Sequence, residues 1–116
     1  MNDYYDLLQQ IQKKPGLYIG GPSISGLYMF LTGYQFARRQ LSIPLSAQER
    51  EFREFQPWLQ EKFGITTSQS WSQLILFHAI DEGDAFDRFF TLLQEFLLCK
   101  HAESGKNYSE EVLEIA

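Results

Sequence analysis

Residues 84–100 read DAFDRFFTLLQEFLLCK, and the way this stretch folds decides what the rest of the chain must do. Phe86, Phe89, Phe90, Leu93, Phe96 and Leu97 recur at helical spacing and make one wide apolar face. Leu92 and Leu98 spill over its edges, so the helix is expected to be covered on more than one side. Asp84 is placed to cap the N-terminus, and Asp87 falls in the first turn, where the helix dipole favours a carboxylate. Asp84 and Arg88 stand four apart in the favourable order for an ion pair. The pattern predicts a central helix packed by its neighbours.

The chain of 116 residues has the size of one ordinary domain. Its apolar share is 44% and its aromatic share 16%, so a core can form without a disulfide or a structural metal. The formal charge is −5, from 15 acidic against 10 basic side chains. Phosphate backbones need a basic surface, so a nucleic-acid partner is not expected, whereas a basic protein partner is compatible. A single cysteine, Cys99, excludes an internal disulfide, and its place in the apolar helix predicts a buried, inert thiol. The first fourteen residues lack the basic start and apolar run of a signal peptide, and no stretch approaches the ~20 apolar residues of a membrane span. A cytoplasmic protein without membrane contact is the expectation.

Outward from the central stretch, residues 3–14 read as a first helix, capped by Asp3 and striped by Tyr4, Leu7, Leu8 and Ile11. Pro15-Gly16 stops it, and residues 17–19 read as a very short extended segment closed by Gly20-Gly21-Pro22. Ser23 or Ser25 caps the next helix, which runs to about residue 40 by these capping rules. Gly26 and Gly33 lie near one side of it and predict another element packed closely there, because helical glycine is otherwise unfavourable. Ser46 and Glu49 match a capping box, with Glu49 and Arg53 paired four apart. Pro57 predicts a kink or break, with a second set of turns over 58–63 ended by Gly64. Residues 71–80, WSQLILFHAI, suit a short buried helix or a buried strand; a Ser70 cap favours the helix. Asp81-Glu82-Gly83 reads as a turn. The sum is an all-α, single compact domain of about five helices over residues 1–100. A polar linker and C-terminal tail follow over 101–116, in which Val112, Leu113 and Ile115 dock or stay mobile.

The string Lys14-Pro15-Gly16-Leu17-Tyr18-Ile19-Gly20 is similar to the R-P-G-M-Y-I-G string near the start of the ATPase domain of DNA gyrase B and its type II topoisomerase relatives. A Gly-Leu pair, here Gly26-Leu27, opens the following helix in both. That family's helix then carries a water-activating glutamate and, three residues on, an Asp-Asn pair whose asparagine holds magnesium. The same register here holds Gly33, Phe36 and Ala37, which can neither act as a base nor bind a metal. The glycine-rich ATP lid is missing too, so the likeness is confined to the first third of the chain and implies no ATPase. A longer order of features covers residues 14–97: K-P-G-L-Y-I-G, S-I-S-G-L-Y-x-F-L-x-G-Y, F-Q-P-W-L-x-x-K-F-G, S-W-S and F-D-R-F-F-x-L-L-x-E-F. It resembles small bacterial proteins of uncharacterised activity, some of them associated with toxin–immunity systems. That resemblance implies a stand-alone domain that works by covering a toxin's active site, and it carries over no catalytic residues.

Among chemistry-bearing residues, His78, Cys99 and His101 are the soft-metal ligands, but Cys99 and His101 are two apart, about 200° around a helix, and do not converge. His78 reads as a core histidine, so neither a metal site nor a Cys-His catalytic pair is expected. Asp81, Glu82, Asp84 and Asp87 form the densest acidic cluster; they suit helix caps or a patch that meets a basic surface. With Tyr18 they are the candidate partner-binding residues, while Tyr28, Trp58 and Trp71 are assigned to the core. No cofactor is expected. The reading is a non-enzymatic protein-binding domain of immunity type. Two alternatives stand beside it: a small ligand-binding or enzymatic domain with a pocket between residues 16–26 and the central helix, and a homo-oligomer whose aromatic faces pair.

Overall fold

The computed structural model describes residues 3–104, so the segment holding Val112, Leu113 and Ile115 lies outside the described residues. The central stretch forms the longest helix, here α7 (Glu82–Ser104), which starts before Asp84 and runs past Lys100. Its six expected core residues, Phe86 to Leu97, are each at most 2% exposed. Asp84 does not cap it. Asp81 does: its Oδ1 accepts from the Asp84 N–H at 2.8 Å, and its carbonyl accepts from the Ala85 N–H. The turn expected over 81–83 is therefore already the first turn of the helix.

Six further helices precede it, and no strand occurs among the described residues. The fold is all-α. In α1 (Tyr4–Lys13) Asp3 caps as expected, and Tyr4, Tyr5, Leu8 and Ile11 are buried. The extended segment expected at 17–19 is instead α2 (Pro15–Ile19). Pro15 takes the first helical position, where its missing N–H is no loss and its fixed φ suits the helix. Gly20, at φ 83°, ends it in the left-handed region. Ser23, not Ser25, caps α3 (Ile24–Gln40), accepting from the Gly26 N–H at 3.0 Å. A Schellman arrangement ends α3: the Ile43 N–H reaches the Arg38 carbonyl, and the Ser42 N–H reaches that of Arg39. Ser42 holds φ 58°, a left-handed value that usually falls to glycine.

The close packing expected over Gly26 and Gly33 is not found. A Cβ on Gly33 would meet nothing within 4 Å, and one on Gly26 would make only ordinary contacts with Ser23 and Ile19. The capping box at Ser46 forms and opens α4 (Ala47–Phe52). Glu49 does not pair with Arg53 as expected; Oε1 accepts from Ser46 N–H and from Arg38 Nη2 at 2.8 Å. The chain breaks at 53–54, ahead of Pro57, and α5 (Phe55–Phe63) carries the proline in its first turn. A first-turn N–H has no partner within its own helix, so proline costs nothing there. Gly64 closes α5 at φ 65°. Ser70 caps α6 (Trp71–Phe77), which resolves the helix-or-strand choice in favour of helix.

Helix α7 is bedded on α3, α5 and α6. Where they meet, Phe55 stands 5.6 Å from Phe89 and 5.5 Å from Phe96, and Trp71 lies 4.8 Å from Phe89, ring centre to ring centre. Most of these pairs cross edge to face, the geometry the aromatic quadrupole favours. This aromatic knot fixes α6 and α5 against α7.

Candidate apolar–acidic corner between α6 and α7

Helix α6 has seven residues and buries Trp71, Leu74 and Ile75, which recur at helical spacing. Phe77 falls on the opposite side and is 81% exposed; Ile80, just beyond the helix, is 85% exposed. Between them stands His78, which is exposed and not in the core as its apolar surroundings in sequence suggest. Its ring stacks on Phe63 at 4.4 Å, its Nδ1 lies 2.9 Å from the Leu74 carbonyl, and Phe77 packs edge-on against it at 5.3 Å. A groove of about 430 Å³ opens here, lined by Phe63, Ile75 and Leu92 together with Lys62, His78 and Arg88. Arg88 Nε donates to Asp84 Oδ2 at 2.8 Å, and the same oxygen takes the Ile80 N–H at 2.9 Å. Phe77, His78, Arg88, Asp84 and Ile80 thus form one connected surface.

The acidic residues expected to bind a partner gather here, but three of the four work within the fold. Asp81 caps α7. Asp84 holds Ile80 and Arg88, and those hydrogen bonds, the Ile80 N–H first, keep its carboxyl below the usual range. Glu82 reaches across to the start of α3: it accepts from Ser25 N–H at 2.9 Å, from Ser25 Oγ at 2.7 Å and from Ser23 Oγ at 2.9 Å. Those donors, led by the Ser25 N–H, hold the Glu82 carboxyl below its ordinary value. One side chain from the first turn of α7 therefore fastens the N-terminus of α3. Asp87 alone of the four is both exposed and without a hydrogen bond or ion pair to its carboxylate among the described residues. Tyr18 is not part of this corner: it is half-buried, its hydroxyl donates to Gln10 Oε1 at 2.9 Å, and its ring packs edge-on against Phe30.

The remaining reactive-looking groups do not converge. Cys99 is exposed on α7 and not buried as its apolar surroundings suggest. His101 lies at the far end of α7 with Nε2 3.2 Å from Glu51 Oε2, and Glu51 Oε1 accepts from the Tyr5 hydroxyl at 2.7 Å. Burial pushes the phenols of Tyr4 and Tyr5 well above the ordinary tyrosine range, with the bond to Glu51 adding to the effect at Tyr5. Both stay neutral and tie helices together. No group of three or more His, Cys, Asp or Glu side chains that could hold a metal ion occurs among the described residues. None of their helices is long and apolar enough to cross a membrane.

Phe77 and Ile80 are the surface residues that sequence reasoning missed. The signal was present: Trp71, Leu74 and Ile75 already fill one helical face, and Phe77 cannot share it. No protein-family model, curated protein sequence or solved structure matches the chain.

Proposed function

We propose that the chain works by binding a protein, not by catalysis, and that the α6–α7 corner is the surface it uses. The observation that carries this reading is the pair of large apolar side chains, Phe77 and Ile80, held almost fully in water beside an apolar groove. Single exposed apolar residues are ordinary, but two on one connected surface, ringed by Asp81, Asp84, Asp87 and Arg88, have the anatomy of an interface: an apolar centre with a charged rim. Asp81, Asp84 and Asp87 stand against Arg88, the other cation lining the groove, Lys62, is paired with Glu95, and the whole chain is acidic, so the partner that fits is basic around an apolar contact. The resemblance to toxin-associated immunity proteins suggests the form this takes: a cytosolic inhibitor that covers the active site of a basic toxin.

The test compares the wild-type chain with Phe77→Ser/Ile80→Ser in pull-downs against the product of the adjacent gene and against whole-cell extract. A protein retained by the wild type and lost by the double variant, at equal helicity, supports the reading. Equal retention by both, or none by either, rejects it. A second reading rests on the same exposed pair, namely that two copies of the chain meet there. Light scattering separates the two, since self-association rises with concentration and disappears in the double variant.

A further inference from the structure

The geometry points to a binding site for a small phosphomonoester between the C-terminal end of α3 and α4, sharing no lining residue with the groove at the α6–α7 corner. Four of the chain's five arginines, Arg38, Arg39, Arg50 and Arg53, fall within sixteen residues, on the last turn of α3 and on and just after α4. Between those two helices lies a cavity of about 400 Å³ whose walls include Arg38, Arg39, Arg53, Gln35, Ser42 and Glu49. That volume lies within the roughly 300–1,000 Å³ range of small-molecule sites.

Charge in the cavity is unbalanced. Glu49 is its one carboxylate, nearly fully buried; its Oε1 accepts from Arg38 Nη2 and the Ser46 N–H, and its Oε2, also buried, has no hydrogen-bond partner. Arg38 keeps a buried Nε without a hydrogen-bond partner, so its fork on Glu49 is only half made. Arg39 and Arg53 are exposed, and neither has a carboxylate partner among the described residues; Arg39 merely lies over the Phe36 ring. Three guanidiniums against one carboxylate leave an excess of two positive charges in a concavity of a chain whose net charge is −5. A guanidinium presents two parallel N–H donors, and one such fork already occupies both oxygens of a carboxylate. A phosphoryl dianion, with three terminal oxygens, can be shared by the forks of Arg39 and Arg53 at once. The unequal counts of oxygens favour phosphate over carboxylate.

The rest of the ligand is defined by what adjoins the cavity. Gln35 and Arg53 also line a second cleft, of about 510 Å³, so the two spaces adjoin across these side chains. Its other walls include Tyr28, Thr32, Gln56 and Trp71, which are aromatic or neutral and polar. That lining accepts a neutral, hydroxyl- or ring-bearing body such as a sugar or a nucleoside, extending from a phosphoryl group held at Arg39 and Arg53.

Calorimetric titration of the full chain at fixed ionic strength, with chloride as the reference anion, tests this. The probes are inorganic phosphate, ribose 5-phosphate and adenosine monophosphate. The expected result is saturable binding of at least one organic phosphate, tighter than inorganic phosphate, and about tenfold or more weaker in both Arg39→Gln and Arg53→Gln. Phe77→Ser leaves it unchanged. Both arginine side chains are exposed, so the variants should keep wild-type helicity, which circular dichroism checks. No saturable binding to any probe, or binding equally tight in both variants, overturns the proposal. Inorganic phosphate binding as tightly as either ester overturns the part that places the ligand's body in the adjoining cleft.

Discussion

Gly33 shows how a single residue can mislead. A glycine in mid-helix suggests a neighbour pressed against it, yet the space over Gly33 is open and the residue is exposed. Its cost to α3 is therefore uncompensated. Gly33→Ala is expected to stabilise the fold by about 0.5–1 kcal/mol, read as a higher midpoint in urea with an unchanged slope. An unchanged or lower midpoint would mean that something does pack there. The same limit applies to His78 and Cys99. Both sit in apolar strings that look buried, but a string of neighbours in sequence says nothing of which way each residue turns. Placed on their helices, Phe96 and Leu97 point inward while Cys99 points out. Burial was legible where apolar residues recurred with the helical period, and misread where they were merely adjacent.

Among the elements, helices were legible from their caps. Asp3, Ser46, Gly64 and Ser70 act as their residue types predict, because each meets an orphan N–H or a left-handed end with local chemistry alone. Pro15 ends α1 and a break precedes Pro57, as expected, but both prolines also sit in the first turn of the next helix, so residues 17–19 are helical and the break falls at 53–54: proline breaks the interior of a helix but fits its first turn. The tie between α7 and α3 was illegible, since Glu82 and Ser25 are 57 residues apart. Its strength depends on charge. Because the folded Glu82 carboxyl titrates below its ordinary value of 4.5, its contribution is present above that value and fades as pH falls below it. Glu82→Gln should therefore be less stable than wild type near pH ~6, and the gap should narrow toward pH ~3, measured by thermal melts at matched ionic strength. A gap that widens in acid would contradict the assignment. Helix α7 itself depends on its aromatic face. Phe89 is fully buried against Phe52, Phe55, Phe90 and Trp71. Phe89→Ala should cost about 3–5 kcal/mol, a large part of the stability of a domain this size, and should show as a much lower melting temperature.

For the molecule as a whole, the all-α class followed from periodicity and caps, whereas the candidate surface did not. The acidic turn was visible in the sequence as a cluster, but its part in the architecture was not: Asp81, Glu82 and Asp84 hold helix ends together, and the apolar pair beside them gives the corner its character. If Phe77 and Ile80 serve a partner, they contribute little to folding. Phe77→Ser/Ile80→Ser should shift stability by no more than about 0.5 kcal/mol per site while reducing retention on hydrophobic resin. A large loss of stability would instead place these residues in the fold's own packing.

The lone thiol offers one practical consequence. Because Cys99 faces outward and has no sibling in the chain, a maleimide dye would attach at a single known point on α7, making distance and anisotropy measurements straightforward. By the same token, a sample left in air could become bridged sulfur to sulfur, and a gel run without reductant would then reveal a covalent pair that has nothing to do with the apolar corner.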